Sequence, residues 1–490
     1  MKYFFFIFIL TSFISNILNA QSNKQKRHCQ NAINNFAKDP QLISSSISIC
    51  LLNATNGKHV ASFDKKRKLI PASTQKLISC ATALMVLGDS FSYVTPFEFI
   101  GRFDKDSIFK GNILIRGVGD PSFGSGILNE ANSINKIADQ LTIALRNNGI
   151  NKIIGKILVE SDFIHNIAEN PEWLYFDIGN YYGTGVYGFN VLENSAKISI
   201  EKKAQSNVIQ ITNVYPAELK DDLINRMYST ESISSKNNQF YVIASSICNE
   251  LNVYGEILKS DSIKIDIKSC IPNPANLYPS ILAEQLEIRG IDVISDSTIL
   301  EPGYSTFNFS NSSPPMKILV SYTLKNSNNL YCESFIHTLG NRWLHNTDRT
   351  RTLDSLMNFW NTKLDQSISI KMVDGSGLSR KNRMSSEALS TMLQIIYSKY
   401  LPNYYNFLND PAKSGSLSTF LSKEKNIEGK FFLKSGSMEG IKSYAGYLLY
   451  PNSKKIVLSI FVNNYDCSSS EINNKIANLL VDLHHSLKLK

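Results

Sequence analysis

The sequence predicts a mixed α and β (α/β, more narrowly α+β) fold, and three features of its apolar pattern support this prediction. Segments near both ends of the chain alternate apolar and polar residues at strand spacing, while residues 77–87 and 316–400 repeat apolar residues at helical spacing. Residues 93–311 contain short apolar runs separated by turn-forming residues, which is typical of β-rich structure. The 490 residues are enough for two or three domains. We therefore expect a β-rich region between two mixed regions.

The first globular elements are predicted to be a β-hairpin and a helix. Residues 46–53 and 60–63 alternate apolar side chains, and Asn56-Gly57 between them is a strong hairpin turn signal. The helix that follows is indicated by apolar residues at helical spacing and ends at Gly88. Its apolar positions are Leu77, Ile78, Ala81, Leu84 and Leu87.

The N-terminus has the composition of a secretory signal peptide. Met1-Lys2 is followed by an apolar run over residues 3–14 and by Ala20, a small residue suited to the cleavage position. We expect residues 1–20 to be cleaved near Ala20 and the protein to be exported to the periplasm or cell envelope. The alternative is a retained anchor, but polar residues interrupt the run and leave it short for a membrane span.

The rest of the chain is predicted as strands and helices with one linker. Residues 302–315, rich in Gly, Ser, Asn and Pro, are interpreted as that linker. The last helix begins at Ser468, where Glu471 completes a capping box. Strands are predicted over 97–103, 111–116, 152–161, 196–201, 207–214, 264–266, 430–434, 444–450 and 455–463. Other helices are predicted over 134–148, 277–289, 316–324, 330–344, 352–364 and 385–400.

Cysteines, histidines and charge exclude several classes of site. The seven cysteines contain no Cys-x-x-Cys, and the seven histidines contain no His-Glu-x-x-His, so no metal cofactor is expected. Cys80 and Cys332 are expected in the core, while Cys248 and Cys270 are the best candidates for a local pair. The histidines at 484–485 are expected on an exposed helix face. The net charge of +9 is scattered along the chain and does not predict nucleic-acid binding.

One Ser-x-x-Lys motif lies where a helix begins. Ser73 and Lys76 are three residues apart, so their side chains share one face of the first turn. A serine hydroxyl becomes a nucleophile when a neighbouring base takes its proton, and a lysine acts as that base when its pKa is lowered by burial or by other cations. The alternative is a surface lysine on an ordinary helix, and six such motifs occur in the chain.

Two further motifs follow in the order expected for one catalytic set. Ser327-Asn328-Asn329 precedes a predicted helix, and Lys434-Ser435-Gly436-Ser437 ends a predicted strand. Ser-x-x-Lys, Ser-Asp-Asn and Lys-Thr-Gly form the motif set of penicillin-binding proteins and class A β-lactamases, which the chain therefore resembles. Ser327 lies 254 residues (327 − 73) after Ser73, a much longer gap than small β-lactamases have.

The long gap is similar to that of one family in particular. The chain resembles the D-alanyl-D-alanine carboxypeptidase/endopeptidase family, the low-molecular-mass class C penicillin-binding proteins. Four more segments are similar to motifs of that family, and the seven-residue match at 374–380 is specific. The segments are Gly111-Asn-Ile-Leu-Ile-Arg-Gly117 with Gly119-Asp-Pro121, Ser313-Pro-Pro-Met316, Asn329-Leu-Tyr-Cys-Glu333 and Asp374-Gly-Ser-Gly-Leu-Ser-Arg380.

The resemblance implies a fold, an activity and partners. It implies a penicillin-recognising, β-lactamase-like domain built from residues 21–92 and 312–490, with an inserted β-rich region over 93–311. It implies a serine D-Ala-D-Ala carboxypeptidase, a D,D-endopeptidase, or both, acting on peptidoglycan stem peptides and covalently inhibited by β-lactams, with no cofactor. The alternatives are a β-lactamase-like hydrolase and a non-catalytic peptidoglycan-binding protein on the same fold.

The resemblance also implies a role for each motif residue. Ser73 would be the nucleophile and Lys76 its base, with Ser327 as a proton relay. Asn329 would bind the substrate amide, while Lys434 would attract its carboxylate. Substrate binding would also involve Ser435, Gly436 and Ser437, and recognition of the peptide's diamino acid would involve Asp177, Arg380 and Glu439, whose alternative interpretation is solvated surface charge.

Two positions depart from the motif set. Asn328 stands in place of Asp, which removes a charge and is expected to alter neighbouring pKa values. Ser435 stands in place of Thr, and because it keeps the hydroxyl we expect function to survive.

Overall fold

A computed structural model describes residues 23–103, 107–164, 167–232, 240–298, 305–365, 368, 370–411, 413, 417–418, 420–421, 428–450 and 454–488. The predicted signal peptide, residues 1–20, lies outside this part of the chain. Two compact units are distinguished by their internal packing. Unit 1 consists of Met1–Met85, Ser321–Ser327 and Leu353–Lys490, and unit 2 consists of Val86–Val320 and Asn328–Thr352.

The described residues form the following strands: β1 Ser46–Asn53, β2 His59–Phe63, β3 Lys68–Leu69, β4 Val94–Phe103, β5 Ile108–Arg116, β6 Lys152–Ile154, β7 Ile157–Glu160, β8 Ser195–Lys202, β9 Gln210–Tyr215, β10 Leu223–Asn225, β11 Tyr228–Thr230, β12 Phe240–Ser245, β13 Cys248–Leu258, β14 Ile263–Cys270, β15 Asp292–Ile294, β16 Ser305–Ser312, β17 Met384–Ser385, β18 Phe431–Met438, β19 Ile441–Tyr450 and β20 Lys454–Asn463.

The helices are α1 over 23–37, α2 Lys76–Leu87, α3 Ile134–Asn147, α4 Pro274–Ile288, α5 Met316–Asn326, α6 Asn329–Leu344, α7 Arg349–Asn361, α8 Ser386–Ile395 and α9 Ser469–Lys488. A π-helical turn, Ile396–Tyr400, continues α8.

Unit 1 is built on an antiparallel sheet with strand order β18-β19-β20-β1-β2. The strands come from both ends of the chain, since β1 pairs with β20 over its whole length. One face of the sheet packs in a core with residues of α1 and α9, and Ser390 of α8 hydrogen-bonds Cys50 and Ser459 on the other face. Because helices cover both faces, the inner residues of β1 are all buried and its alternation is only partial.

Three elements of unit 1 show which sequence signals were sufficient to predict secondary structure. The capping box of α9 is confirmed, because Ser468 and Glu471 exchange backbone-to-side-chain hydrogen bonds of 2.8 and 3.2 Å. Helix α1 was not predicted, since only a few apolar residues such as Ile33 and Phe36 attach it to the core. The predicted strand 430–434 is too short, because pairing with β19 continues to Met438 and carries the whole third motif into β18.

The described residues of unit 2 form three sheets and include the long helices α3, α4 and α6. The largest sheet has the order β15-β6-β5-β4-β16, with β7 also paired to β5. The others have the orders β14-β8-β9 and β10-β13-β11, with β12 beside β13. Helices α3 and α4 bury their apolar faces in a core shared with these strands. Among the described residues this unit is therefore mixed rather than purely β, as its helical periodicity predicts.

Two predictions in unit 2 are wrong. The linker proposed for 302–315 is in part strand β16, which pairs antiparallel with β4 because Phe307 and Phe309 alternate with polar residues and pack against the core. The single strand proposed for 152–161 is two strands, divided at Gly155. A Cβ at Gly155 would lie 1.9 Å from the carbonyl oxygen of Gly111, so glycine is required at this close approach.

The cysteine and histidine predictions are partly corrected. All seven cysteines are free, so the proposed pairing of Cys248 with Cys270 is wrong: the first is exposed and the second is buried in the core. The core positions predicted for Cys80 and Cys332 are confirmed. His485 is exposed as predicted, but His484 is fully buried against Phe431 because it continues the apolar face of α9.

Among the described residues, no helix is both long and apolar enough to cross a membrane. The same residues contain no group of His, Cys, Asp and Glu that could hold a metal ion.

Candidate active site

Ser73 lies in unit 1, on a tight turn that leads into α2. A 3-10 turn, Ala72–Gln75, precedes the helix, and Ala72 has φ +46°, a left-handed conformation that is costly for a residue with a Cβ. Ser443 of β19 donates a 2.6 Å hydrogen bond to the carbonyl oxygen of Pro71. A Cβ at Gly377 would lie 2.1 Å from the carbonyl oxygen of Ala72. Neighbouring segments therefore hold the turn on both sides and keep Ser73 partly exposed at its tip.

Lys76 points at the hydroxyl of Ser73. Its Nζ lies 2.9 Å from Ser73 Oγ and 2.7 Å from the carbonyl oxygen of Ser376, which accepts a second hydrogen bond. The side chain of Lys76 is fully buried. The predicted spacing of three residues thus produces direct contact, and the Ser376 carbonyl fixes the amine in place.

The loop 374–380 supplies that carbonyl and is itself tightly organised. The carboxylate of Asp374 accepts hydrogen bonds from the backbone N–H groups of Gly377 and Ser379 at 2.8 and 2.6 Å. Gln75 of the 3-10 turn and Ser79 of α2 also bind the loop, donating to the carbonyl oxygens of Asp374 and Gly375 at 2.6 and 2.7 Å. Asp374 therefore positions Lys76 indirectly.

Sequence reasoning missed this positioning role. Within the segment Asp374 to Arg380, the resemblance to the family implies a role for Arg380 alone. The available signal was Asp374 itself, since an aspartate before a Gly-Ser-Gly turn commonly binds the backbone N–H groups that follow it.

A second amine–hydroxyl pair joins the other two motifs. Lys434 Nζ donates to Ser327 Oγ at 2.9 Å and to the carbonyl oxygen of Ser435 at 2.7 Å. Lys434 is fully buried, whereas Ser327 is half-buried and has φ +60°. The structure therefore brings Ser327 and Lys434 together across more than 100 residues of chain.

Strand β18 lies directly against the turn Ala72–Gln75 that carries Ser73, called the nucleophile turn below. A Cβ at Gly436 would be 2.7 Å from the backbone nitrogen of Ser73 and 2.4 Å from Ser443 Oγ, so only glycine allows this approach. Ser437 follows on the exposed edge of the strand and pairs with Lys442 of β19. The first and third motifs therefore meet at Gly436.

Burial lowers the pKa of Lys442, a residue of β19 that the sequence analysis does not single out.

The other two residues of the second motif begin α6 in unit 2. Asn328 is the N-cap of this helix, and its Oδ1 accepts a 3.3 Å hydrogen bond from the backbone N–H of Tyr331. Its Nδ2 donates to Glu193 Oε2 at 3.1 Å. Asn329 Nδ2 donates to the carbonyl oxygen of Tyr182 at 2.7 Å. Both asparagine side chains are thus oriented by unit 2.

The three residues predicted to recognise the diamino acid occupy different settings. In unit 1, Arg380 approaches Glu439 at 3.9 Å, a long ion pair in which Glu439 is almost fully exposed. In unit 2, Asp177 is half-buried near Tyr182. Burial, and secondly the charge of Asp177, raises the pKa of Tyr182 to about 12. Their role in recognising the diamino acid stays a prediction.

Comparisons with known proteins agree over nearly the whole chain. The model of the D-Ala-D-Ala carboxypeptidase 3 (S13) family matches residues 29–483. Penicillin-sensitive carboxypeptidase A of Dictyostelium discoideum is 25% identical over 508 residues, covering 96% of this chain and 90% of that protein. D-alanyl-D-alanine carboxypeptidase DacB of Haemophilus influenzae is 20% identical over 448 residues, covering 89% of each chain.

A solved structure has the same fold. Penicillin binding protein 4 from Haemophilus influenzae matches with a TM-score of 0.75 at 19% identity, covering 92% of this chain and 99% of that one. This likeness and the mixed helices and sheets described above confirm the predicted fold class, a penicillin-recognising α/β fold.

Proposed function

The chain belongs to the D-Ala-D-Ala carboxypeptidase 3 (S13) family and is a serine-type D-Ala-D-Ala carboxypeptidase, and we propose that it cleaves peptidoglycan stem peptides through an acyl-enzyme on Ser73. The match to the family model over residues 29–483 confirms the family and the enzyme class that were predicted from the motifs. The observation that carries the assignment of Ser73 is its 2.9 Å hydrogen bond from Lys76.

The first chemical step is acylation. Ser73 Oγ attacks the carbonyl carbon between the two D-alanines while its proton passes to the neutral amine of Lys76. The carbonyl oxygen becomes an oxyanion, which accepts hydrogen bonds from the backbone N–H groups of Ser73 and Ser437. Each such donor contributes on the order of 3 kcal/mol to transition-state stabilisation. The contact between Gly436 and the Ser73 nitrogen supports this pairing of donors.

Collapse of the intermediate releases the terminal D-alanine. Its amine takes a proton from Ser327, which is replenished from Lys434. The proton held by Lys76 then passes through Ser327 to Lys434, so the amine of Lys76 is neutral again and the substrate remains bound to Ser73 as an ester. The 2.9 Å contact between Lys434 and Ser327 supports this relay. A water molecule then attacks the ester and gives a proton to the neutral amine of Lys76. Lys76 passes this proton to Ser73 as the ester bond breaks, and the shortened peptide leaves.

We propose that substrate recognition involves further residues of the motifs. Lys434, Ser435 and Ser437 bind the terminal carboxylate. Asn329 binds the substrate amide. The diamino acid side chain is recognised by the residues predicted from the resemblance, namely Asp177, Arg380 and Glu439.

The same chemistry explains sensitivity to β-lactams. The strained lactam amide acylates Ser73 as the D-Ala-D-Ala bond does, but no leaving group departs and the ester persists. Peptidoglycan peptides and β-lactams are thus the proposed partners. Endopeptidase cleavage of cross-links, which uses the same acyl-enzyme, stays a prediction that digestion of purified muropeptides followed by mass spectrometry can test.

Location and domain organisation are also proposed. We propose export to the periplasm or cell envelope after cleavage near Ala20. We further propose that residues 21–92 and 312–490 form the catalytic domain and that 93–311 are inserted. The pairing of β1 with β20 supports a domain assembled from both ends of the chain.

The function is tested by labelling with a fluorescent penicillin and by assaying release of D-alanine from a peptide that ends in D-Ala-D-Ala. The wild-type protein should show both activities, and Ser73→Ala should show neither. Ser398→Ala, a change at an exposed serine in the same unit, is the matched control and should behave as wild type. Labelling of Ser73→Ala would refute the assignment. Rapid turnover of a chromogenic β-lactam would favour the β-lactamase alternative.

A further inference from the structure

Glu193 lies in a run of three consecutive residues in the left-handed region. Leu192, Glu193 and Asn194 have φ values of +53°, +56° and +47°, and none of them is glycine. Residues with a Cβ adopt this conformation only where the surrounding structure imposes it, and such strain is concentrated at functional sites. Two questions follow: which contacts hold the backbone in this conformation, and which side chain the conformation places.

The cause is a dense set of hydrogen bonds around buried Asn194. Its Nδ2 donates to Asn190 Oδ1 at 2.7 Å and to the carbonyl oxygen of Gly185 at 3.0 Å, and its Oδ1 accepts from the backbone N–H of Val191. Its own carbonyl oxygen accepts from the N–H of Ile271 at 2.8 Å. The strained backbone is thus held from several directions, which fixes where the side chain of Glu193 points.

The side chain of Glu193 binds the first turn of α6. Its two carboxylate oxygens accept hydrogen bonds from Tyr331 Oη at 2.8 Å and from Asn328 Nδ2 at 3.1 Å. Oδ1 of the same Asn328 side chain caps the helix. Both ends of the amide are therefore used, one as acceptor and one as donor.

This arrangement explains why residue 328 is asparagine. An aspartate could still cap the helix, but it has no N–H to donate to Glu193 and would place a second carboxylate beside the first. Like charges at this separation repel, which raises the pKa of one of the two carboxyl groups. The negative charge expected within the motif is thus provided by Glu193, from a distant part of the sequence.

We propose that Glu193 is a positioning residue for the acylation reaction, acting through Asn328 on Ser327. Asn328 shares a peptide bond with Ser327, whose own φ of +60° is not one that the residue adopts unaided. Holding residue 328 in one orientation keeps the Ser327 hydroxyl directed toward Lys434. This inference rests on the proposed function, since it assigns Glu193 to the same proton relay.

The test is an exchange of the amide and the carboxylate. Asn328→Asp should lower the second-order rate of Ser73 acylation by a fluorescent penicillin about 30-fold at pH 8. Its rate relative to wild type should recover toward pH 5, where the carboxyl pair holds a proton. Glu193→Gln should cost about 5-fold. The double variant should return to within about 5-fold of wild type, because the amide introduced at position 193 can then donate to the carboxylate introduced at position 328. These losses are those expected from misdirecting a catalytic hydroxyl.

Controls separate positioning from folding. Glu250→Gln, a change at an exposed residue of the same unit, should leave the rate unchanged. Melting temperatures are recorded for every variant. If Asn328→Asp does not fold, Tyr331→Phe replaces it: this change removes one hydrogen bond to Glu193, and its effect should not add to that of Glu193→Gln.

The outcomes distinguish this inference from the proposed function. A wild-type protein that is not labelled at Ser73 refutes the proposed function and, with it, this role of Glu193. A labelled wild type combined with a double variant no faster than Asn328→Asp refutes the inference alone. A pH-independent ratio between Asn328→Asp and wild type refutes it as well.

Discussion

Replacing Gly436 by alanine should both slow the acylation of Ser73 and destabilise the protein. The added Cβ would lie 2.7 Å from the backbone nitrogen of Ser73, 2.4 Å from Ser443 Oγ and 2.9 Å from Ala72 Cβ. Carbon–nitrogen contacts need roughly 3.4 Å or more, so β18 and the nucleophile turn must separate by about 0.7 Å.

That displacement acts on the reaction geometry directly. It would move the N–H of Ser437 away from the oxyanion and the hydroxyl of Ser73 away from the bound carbonyl carbon. A misplacement of about 1 Å can cost on the order of 100-fold in rate, so we expect Gly436→Ala to acylate about 10- to 100-fold more slowly. Overpacking should cost about 1–3 kcal/mol of unfolding free energy.

The assay is the rate of labelling by a fluorescent penicillin, with urea unfolding measured on the same samples. Gly440→Ala is the matched control in the turn between β18 and β19. Its φ is +66°, but nothing lies within 4 Å of the added Cβ, so it should cost about 1 kcal/mol of stability and little rate. Wild-type labelling by Gly436→Ala, or an equal loss in Gly440→Ala, would refute the reasoning.

Two further predictions concern buried titratable groups. Burial raises the pKa of Asp120 from 3.8 to about 6, which means that the folded state favours the protonated carboxyl group. The stability gained in this way is fully present below pH 4 and is lost as the pH rises through 6. Relative to wild type, Asp120→Asn should therefore gain up to about 3 kcal/mol of unfolding free energy between pH 4 and pH 7 in urea titrations, and a constant difference would contradict this. Burial lowers the pKa of His484 from 6.5 to about 4, which means that the folded state favours the neutral imidazole. The stability gained in this way is present above pH 6.5 and is lost as the pH falls toward 4. His484→Leu should remove about 2–3 kcal/mol of acid destabilisation at pH 4.5, and an unchanged slope of stability against pH would exclude this role.

The local parts of the site could be predicted from sequence. Ser73 and Lys76 are three residues apart, so helical periodicity alone places them on one face, and their 2.9 Å contact follows. The contact between Lys434 and Ser327 depends on tertiary structure across 107 residues, and only the resemblance to a family suggested it. The role of the Ser376 carbonyl could not be predicted, because a backbone group leaves no mark on residue identity.

The errors in the fold have similar causes. The exposed positions of strand β16 are Asn308, Ser310 and Ser312, and this polar composition outweighed the alternation of Phe307 and Phe309. His484 was expected to be exposed from its polarity, although it continues the apolar face of α9. In both segments the period of the pattern was more informative than the composition. Glu193 has no local signal at all, since its partners lie more than 130 residues away.

The most direct test of the central claim is to identify the residue that becomes acylated. Trypsin cleaves after Lys68 and Lys76, so residues 69–76 form a peptide containing Ser73 and Thr74. After reaction with penicillin, fragmentation mass spectrometry of this peptide should place the added mass on Ser73. In the Lys76→Met protein the corresponding tryptic peptide extends to Arg102, and its Ser73 should carry no adduct. An adduct on any other residue, or full acylation of Ser73 in Lys76→Met, would contradict a mechanism in which Lys76 activates Ser73.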